Sequence, residues 1–302
     1  MIKHHHYQLA ASYQQLQDFL PRLIERYNPD RIICFGCVSY STASSGCFRH
    51  PATDHNTHYH LLMVTQSTYR MEHNVQDYVA THFHKGTITM LVHSKEAVEG
   101  AMTNGPGFFN KVYKDGVVLY ALDGKLVPDF DIPEISPLLL LQLAEEHYSS
   151  RSTMAKGLFR SAQECLTNNN ATAAIFLIHQ VMEQTLVALV RVHIGYRADI
   201  HHLGRLLNLC KCFSDQPANL FPLHTKPERR LFQLLLDSYS GSRYSTDFHI
   251  SIEDANALYR QVAQLLSLAD KLCSRKLNEL KLTAEAPAPL DFMPGLPASL
   301  HQ

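Results

Sequence analysis

The sequence lacks a surplus of either charge: 27 Lys and Arg stand against 28 Asp and Glu, leaving −1 with neutral histidines. That balance excludes an overall positive field able to draw nucleic acid or an anionic membrane surface to the chain. An even framework of cysteines is also lacking. The seven present are Cys34, Cys37, Cys47, Cys165, Cys210, Cys212 and Cys273. Their irregular spacing reads as reduced thiols of a cytoplasmic protein, not as a disulfide scaffold. The opening MIKHHHYQLAASYQQ has no uninterrupted apolar core of a signal peptide, and no apolar run is expected to span a bilayer, so no membrane partner is expected. The triple histidine at 4–6 is continuous with a helical pattern and reads as native.

What is present is ordinary globular material with one excess. Hydrophobic residues make up 45% and charged residues 18% of 302 positions, enough for a sizeable core and more than one average domain. Histidine is the excess, at 19. A fall toward pH 6 makes such a chain markedly more basic.

Residues 8–27 place Leu9, Tyr13, Leu16, Phe19, Leu20, Leu23 and Ile24 at helical spacing. RIICFG at 31–36 reads as a strand, and residues 38–57, rich in Ser, Thr, Gly and His, read as a long loop. HYHLLMV at 58–64 is the next strand. A helix over 69–83, a strand GTITMLV at 86–92, a helix over 95–103 capped by Ser94 and a short strand between two Asp-Gly turns complete this half. Three prolines in VPDFDIPEISP make residues 127–137 a linker. Beyond it, residues 138–166, 171–194, 201–212, 226–239 and 252–274 carry helical periodicity and no strand, with Ser251 and Asp254 capping the last helix. The fold class is therefore α+β. An α/β domain at 1–126 is followed by an all-α bundle at 138–280 and a flexible tail, rich in Pro and Ala, at 281–302.

Gly36-Cys37 at a strand end, with His58-Tyr59-His60 entering the next strand, resembles the small nucleotidyltransferase family. There a strand ends in Gly-Ser and the following strand carries Asp-x-Asp. The resemblance spans roughly residues 15–125, with every signature residue but the glycine changed. Nucleotidyl transfer needs hard oxygen ligands around Mg²⁺, and imidazole is a poor one. GTITMLV, where a third carboxylate belongs, holds neither Asp nor Glu. The resemblance therefore implies a nucleotidyltransferase-like domain without catalysis, a pseudoenzyme. Two readings of His55, His58 and His60 stay open. In one they belong to a decayed site without a cofactor. In the other His58 and His60, with or without Cys37, take a transition metal such as zinc. Cys34-x-x-Cys37 alone is a weak metal signature.

The second half closely resembles the HEPN family, named for nucleotide binding in higher eukaryotes and prokaryotes. His179, Gln180 and Glu183 stand on one apolar helix. His201 leads into a helix bearing Leu203, Leu206 and Leu207, and Tyr239, Arg243 and Tyr244 follow. The match covers about residues 136–275. His179 and Glu183, four apart, share a helix face. One reading makes them a buried polar network with Arg243 as counter-charge to Glu183. The other makes Arg243, Tyr239, Tyr244 and His179 a pocket for a nucleotide or other phosphate ligand, with arginine on phosphate and tyrosine on a base. Arg243 is taken to follow a helix break at YSGSR. Many HEPN proteins are ribonucleases using Arg-x4–6-His, which Arg243 and His249 satisfy, so catalysis on RNA is the enzyme alternative and a pure scaffold a third. The resemblance also implies a homodimer.

Overall fold

The computed structural model describes residues 9–46, 49–104, 107–126 and 131–286, without the side chains of 9–12, 41–46, 49–56 and 104. The triple histidine, Cys47, residues 127–130 of the expected linker and residues 287–302 of the tail lie outside the described residues. The first half runs α1 (Leu9–Tyr27), β1 (Arg31–Gly46), β2 (Arg49–Thr65), α2 (Glu72–His82), β3 (Thr87–Ser94), α3 (Lys95–Asn104), α4 (Phe108–Asp115) and β4 (Val117–Ala121). The second runs α5 (Pro137–Thr167), α6 (Ala171–Ile194), α7 (Leu203–Cys210), α8 (Gln216–Asn219), α9 (Lys226–Tyr244) and α10 (Ile252–Glu285). An α+β half with a four-stranded sheet thus precedes a helical half, as the periodicities predict.

The strand order is β3-β2-β1-β4. β1 pairs antiparallel with β2 and β4, whereas β2 and β3 are parallel and joined through α2. Alternation along β2 sends Tyr59, Leu61 and Met63 into one core with Leu16, Phe19 and Leu23 of α1 and Val75 and Val79 of α2. Leu62 and Val64 enter the other, which is continuous with the bundle interior through Phe108, Phe109, Ile175 and Leu206. Both faces of the sheet are covered, which is why HLLMV reads as an unbroken apolar run.

Residues 38–57 correct the expected loop. They are the outer part of a β1–β2 hairpin whose register continues from Val38↔His58 to Ala43↔Thr53 and beyond. Alternation reports a buried face, and a ribbon held by backbone pairing can form without it. α4 was not predicted. It is short and opens on Gly107 at φ +87°, yet it seats Phe108 and Phe109 against the bundle, with ring centroids 4.8 and 6.5 Å from that of Tyr196.

The bundle follows its caps. Ala173 donates its N–H to the Asn170 side chain at 3.1 Å, Asp254 donates its N–H to Ser251 at 3.0 Å, and Thr225 and Glu228 complete a reciprocal capping box. α6 overturns the expectation that no run is long and apolar enough to cross a membrane, because by length and composition it is. In the structure 72% of its most apolar stretch is buried, as suits a helix surrounded on all sides by a bundle. The break expected at YSGSR is absent: α9 continues through Gly241 to Tyr244. α10 runs to Glu285, past the bundle boundary expected at 280.

Candidate functional site

The face of the sheet that would hold nucleotidyl-transfer carboxylates is closed by the bundle. His58 and His60 are both buried, their rings stacked with centroids 4.5 Å apart. His58 has both nitrogens occupied: Nδ1 lies 2.7 Å from the Thr87 hydroxyl and Nε2 2.8 Å from that of Thr89. The Nε2–H of His60 donates to the carbonyl of Asn208, in α7, at 2.8 Å. Because a carbonyl only accepts, the neutral His60 ring carries its proton on Nε2 and a lone pair on Nδ1. Gly36 lies beneath that ring, where an added Cβ would sit 3.2 Å from Nδ1, a tight approach that the ring would have to yield to.

Burial drives both rings toward the neutral form. His58 is lowered to about 3 by burial, then by His60 and Lys211. His60 is lowered to about 4 by burial, against the opposing pull of the Asn208 bond. Cys37 pairs across the ladder with Tyr59, and Gly36 with His60. Directly opposed residues share a face, so the Cys37 side chain projects to the side of Tyr59, away from the imidazoles. Cys37 therefore cannot join them on a metal. Among the described residues, no group of three or more His, Cys, Asp or Glu side chains is placed to hold a metal ion. The side chain of His55 lies outside the described residues. β1 also does not end at Gly36, as the resemblance implied, but bulges between Cys34 and Gly36 and runs on.

Polar contacts that the sequence did not reveal hold the two halves together. Arg205 of α7 donates to Glu72 of α2 at 2.5 Å and to the Met90 carbonyl of β3 at 3.2 Å, with Glu72 buried and Arg205 partly so. The Tyr196 hydroxyl meets His93 Nε2 at 2.9 Å, Arg70 donates to the Asp199 carbonyl at 2.8 Å, and the Tyr40 hydroxyl bonds Asp215. Such pairs join residues more than 100 positions apart, a relation no local pattern carries.

In the bundle the predicted residues do converge. His179 is buried in α6, accepts from the Gln180 amide at 3.3 Å, and faces the Tyr239 ring at 5.2 Å. Its ring is lowered to about 4 by burial, with His201, Arg243 and His202 adding charge of the same sign. Glu183 does not pair with Arg243: the His201 ring lies 3.1 Å away, its Nδ1–H donating to Oε1. Tyr239 stacks on His201, with centroids 5.9 Å and planes 11° apart. Arg243 is exposed at the end of α9. Its Nε donates to the Tyr239 carbonyl at 2.7 Å, and its guanidinium lies 4.2 Å from the Tyr239 ring, 4.9 Å from Tyr244 and 5.5 Å from Phe176. No carboxylate among the described residues is within ion-pair range of it. Tyr244 and His249 are exposed, and His249 lies beyond the helix end.

Residues 148–272, which contain this cluster, match the family model of the HEPN domain. The helical half therefore carries a HEPN domain, as its sequence implied. Among solved structures the chain is similar to a nucleotidyltransferase-like protein from Exiguobacterium sibiricum. The two are 10% identical, the alignment covers 91% of this chain and 82% of that one, and the TM-score is 0.27. No curated protein matches the chain.

Proposed function

We propose that this is a cytoplasmic, homodimeric protein that binds a nucleotide or other phosphate ligand through its HEPN domain, and that its nucleotidyltransferase-like half is catalytically silent. In this reading the linker at 127–137 separates two functional units. Arg243 carries it: an exposed guanidinium held over two tyrosine rings, with its Nη edge facing no carboxylate. A guanidinium so fixed offers a forked donor to phosphate, and an adjoining exposed Tyr244 offers a face to a base. Catalytic silence is supported by the imidazoles at 58 and 60, buried beneath α7 where metal and triphosphate would have to enter.

The test is a thermal melt of wild type and Arg243→Ala, each with and without millimolar GTP or ATP. The wild type should be stabilised by nucleotide. Arg243→Ala should lose that stabilisation while keeping its own melting temperature nearly unchanged, because the side chain is exposed and makes no ion pair among the described residues. A large destabilisation without ligand, or an unresponsive wild type, overturns the assignment.

A second reading, a HEPN-type ribonuclease using Arg243 and His249, is favoured by one observation. Both side chains are exposed at the same end of α9, accessible to a strand of RNA. RNA cleavage by the intact protein, lost in Arg243→Ala and in His249→Ala, would establish it.

A further inference from the structure

Where the two halves meet, α4 and residues 132–135 face α5, the end of α6 and α10 across a cleft of about 570 Å³. That is the size of ordinary small-molecule sites, roughly 300–1,000 Å³. Its walls are part apolar, with Ile132, Ile135 and Leu140, and part charged, with Lys111, Lys114, Arg191 and Lys276 beside Asp115 and Glu134. The three lysines are answered: Lys111 by Asp115 at 2.7 Å, Lys114 by Glu134 at 3.5 Å and Lys276 by Glu279 at 3.1 Å. Arg191 is not. It is half-buried and donates Nη1 to the Gly195 carbonyl at 3.0 Å, with no carboxylate against it among the described residues.

Arg191 is also not alone. On α5, just beyond the cleft lining, His147 stands one turn and Arg151 two turns along from Leu143 and Ala144. Arg151 donates to the neutral Gln184 at 2.6 Å, and His147 keeps a buried Nε2 without a hydrogen-bond partner. Arg197 stands in the segment that leaves α6 and likewise has no carboxylate partner among the described residues. The groups sense one another: His147 is lowered to about 4 by burial and then by Arg191, Arg151 and Arg197. A cation in the last turn of α6 complements the helix dipole, which accounts for Arg191 singly. It does not account for three guanidinium groups and an imidazole gathered without an anion, whose mutual repulsion opposes folding.

The geometry points to a second ligand site in this junction cleft, one that seats a small phosphorylated anion with its phosphate on Arg191 and its apolar part against Leu140 and Ile132. It is distinct from the Arg243 site and stands or falls separately from it. Because its walls come from both halves, an occupied site would brace the junction.

Isothermal titration of the full chain with inorganic pyrophosphate and with ADP tests this, using wild type, Arg191→Gln, Arg197→Gln and Arg243→Ala. Both probes should bind the wild type. Arg191→Gln should weaken both about tenfold or more, as loss of a charged hydrogen-bond donor does. Arg197→Gln, exposed and free of structural contacts, should weaken them in the same direction and serves if Arg191→Gln fails to fold. Arg243→Ala should leave the junction site intact. ADP binding more tightly than pyrophosphate assigns a nucleotide as the source of the phosphate, whereas equal affinity assigns the phosphate group alone. Failure of the wild type to bind either probe overturns the proposal. So does unchanged affinity in Arg197→Gln together with a folded Arg191→Gln, or loss of all binding in Arg243→Ala.

Discussion

Mild acid should unfold this protein, and the structure sets the size of the effect. His58, His60 and His179 are 2%, 0% and 1% exposed, and burial lowers them to about 3, 4 and 4. Their ordinary value is near 6.5. Between these limits the unfolded chain takes up protons that the folded chain refuses, so stability rises with pH and falls as acid is added. The contribution is whole above about pH 6.5 and is lost progressively down to the folded-state values. At pH 5 each histidine favours the unfolded chain by about 2 kcal/mol, at 1.36 kcal/mol per unit. Three give a ceiling of about 6 kcal/mol, comparable with the whole stability of a typical domain, about 5–15 kcal/mol. His58 and His60 stack on each other and therefore titrate as a pair. The assay is urea unfolding at intervals from pH 8 to pH 5, for wild type and for His60→Gln and His179→Gln. Burial also lowers His147 and His193 to about 4, so the wild-type slope near pH 5 should exceed three protons, and each substitution should lower it by about one. A stability that stays flat from pH 7 to pH 5, or a slope unmoved by both substitutions, would refute the reasoning.

Other perturbations separate the structural contacts. Arg205→Ala strands the buried Glu72 carboxylate and should cost about 3–5 kcal/mol in chemical denaturation, with Glu72→Gln added to it recovering a part. Gly241→Ala would place a Cβ 2.5 Å from Phe248 Cδ2, so it should lower the melting temperature and raise amide exchange over residues 245–250. The pair His58→Asp and His60→Asp, which restores carboxylates at both positions, should yield no incorporation of labelled nucleotide with Mg²⁺ and should lower the melting temperature sharply.

The sequence was legible wherever a local rule governs, and opaque wherever a distant partner does. α1, α5, α6 and α10 follow from apolar residues at helical spacing, and the caps of α3 at Ser94 and of α10 at Ser251 from side chains that accept a nearby N–H. The hairpin through 38–57 was misread because its polar residues mimic a loop while backbone pairing fixes it. α4 was missed because eight residues give a helical period little room to show. YSGSR looked like a break because glycine weakens a helix. Gly241 instead stays helical, and its missing Cβ lets Phe248 approach. In the bundle, His179 and Arg243 both lie against the Tyr239 ring, yet the partner of Glu183 is His201, eighteen positions on, rather than the arginine.

The imidazoles at 58 and 60 make sense once the covering helix is considered. A face that binds metal and triphosphate has to stay open to water, and carboxylates there remain hydrated or metal-bound. Here α7 lies on that face, with the Asn208 carbonyl against His60 and Thr87 and Thr89 beside His58. At position 60 a carboxylate would meet the Asn208 carbonyl oxygen instead of a donor, a costly arrangement in a buried interface. A neutral imidazole fills the same space without charge: His58 engages both ring nitrogens, and His60 donates from Nε2 and stacks on it, leaving Nδ1 without a hydrogen-bond partner. The sheet face serves instead as a docking surface for the helical half, with His60 bonded to α7.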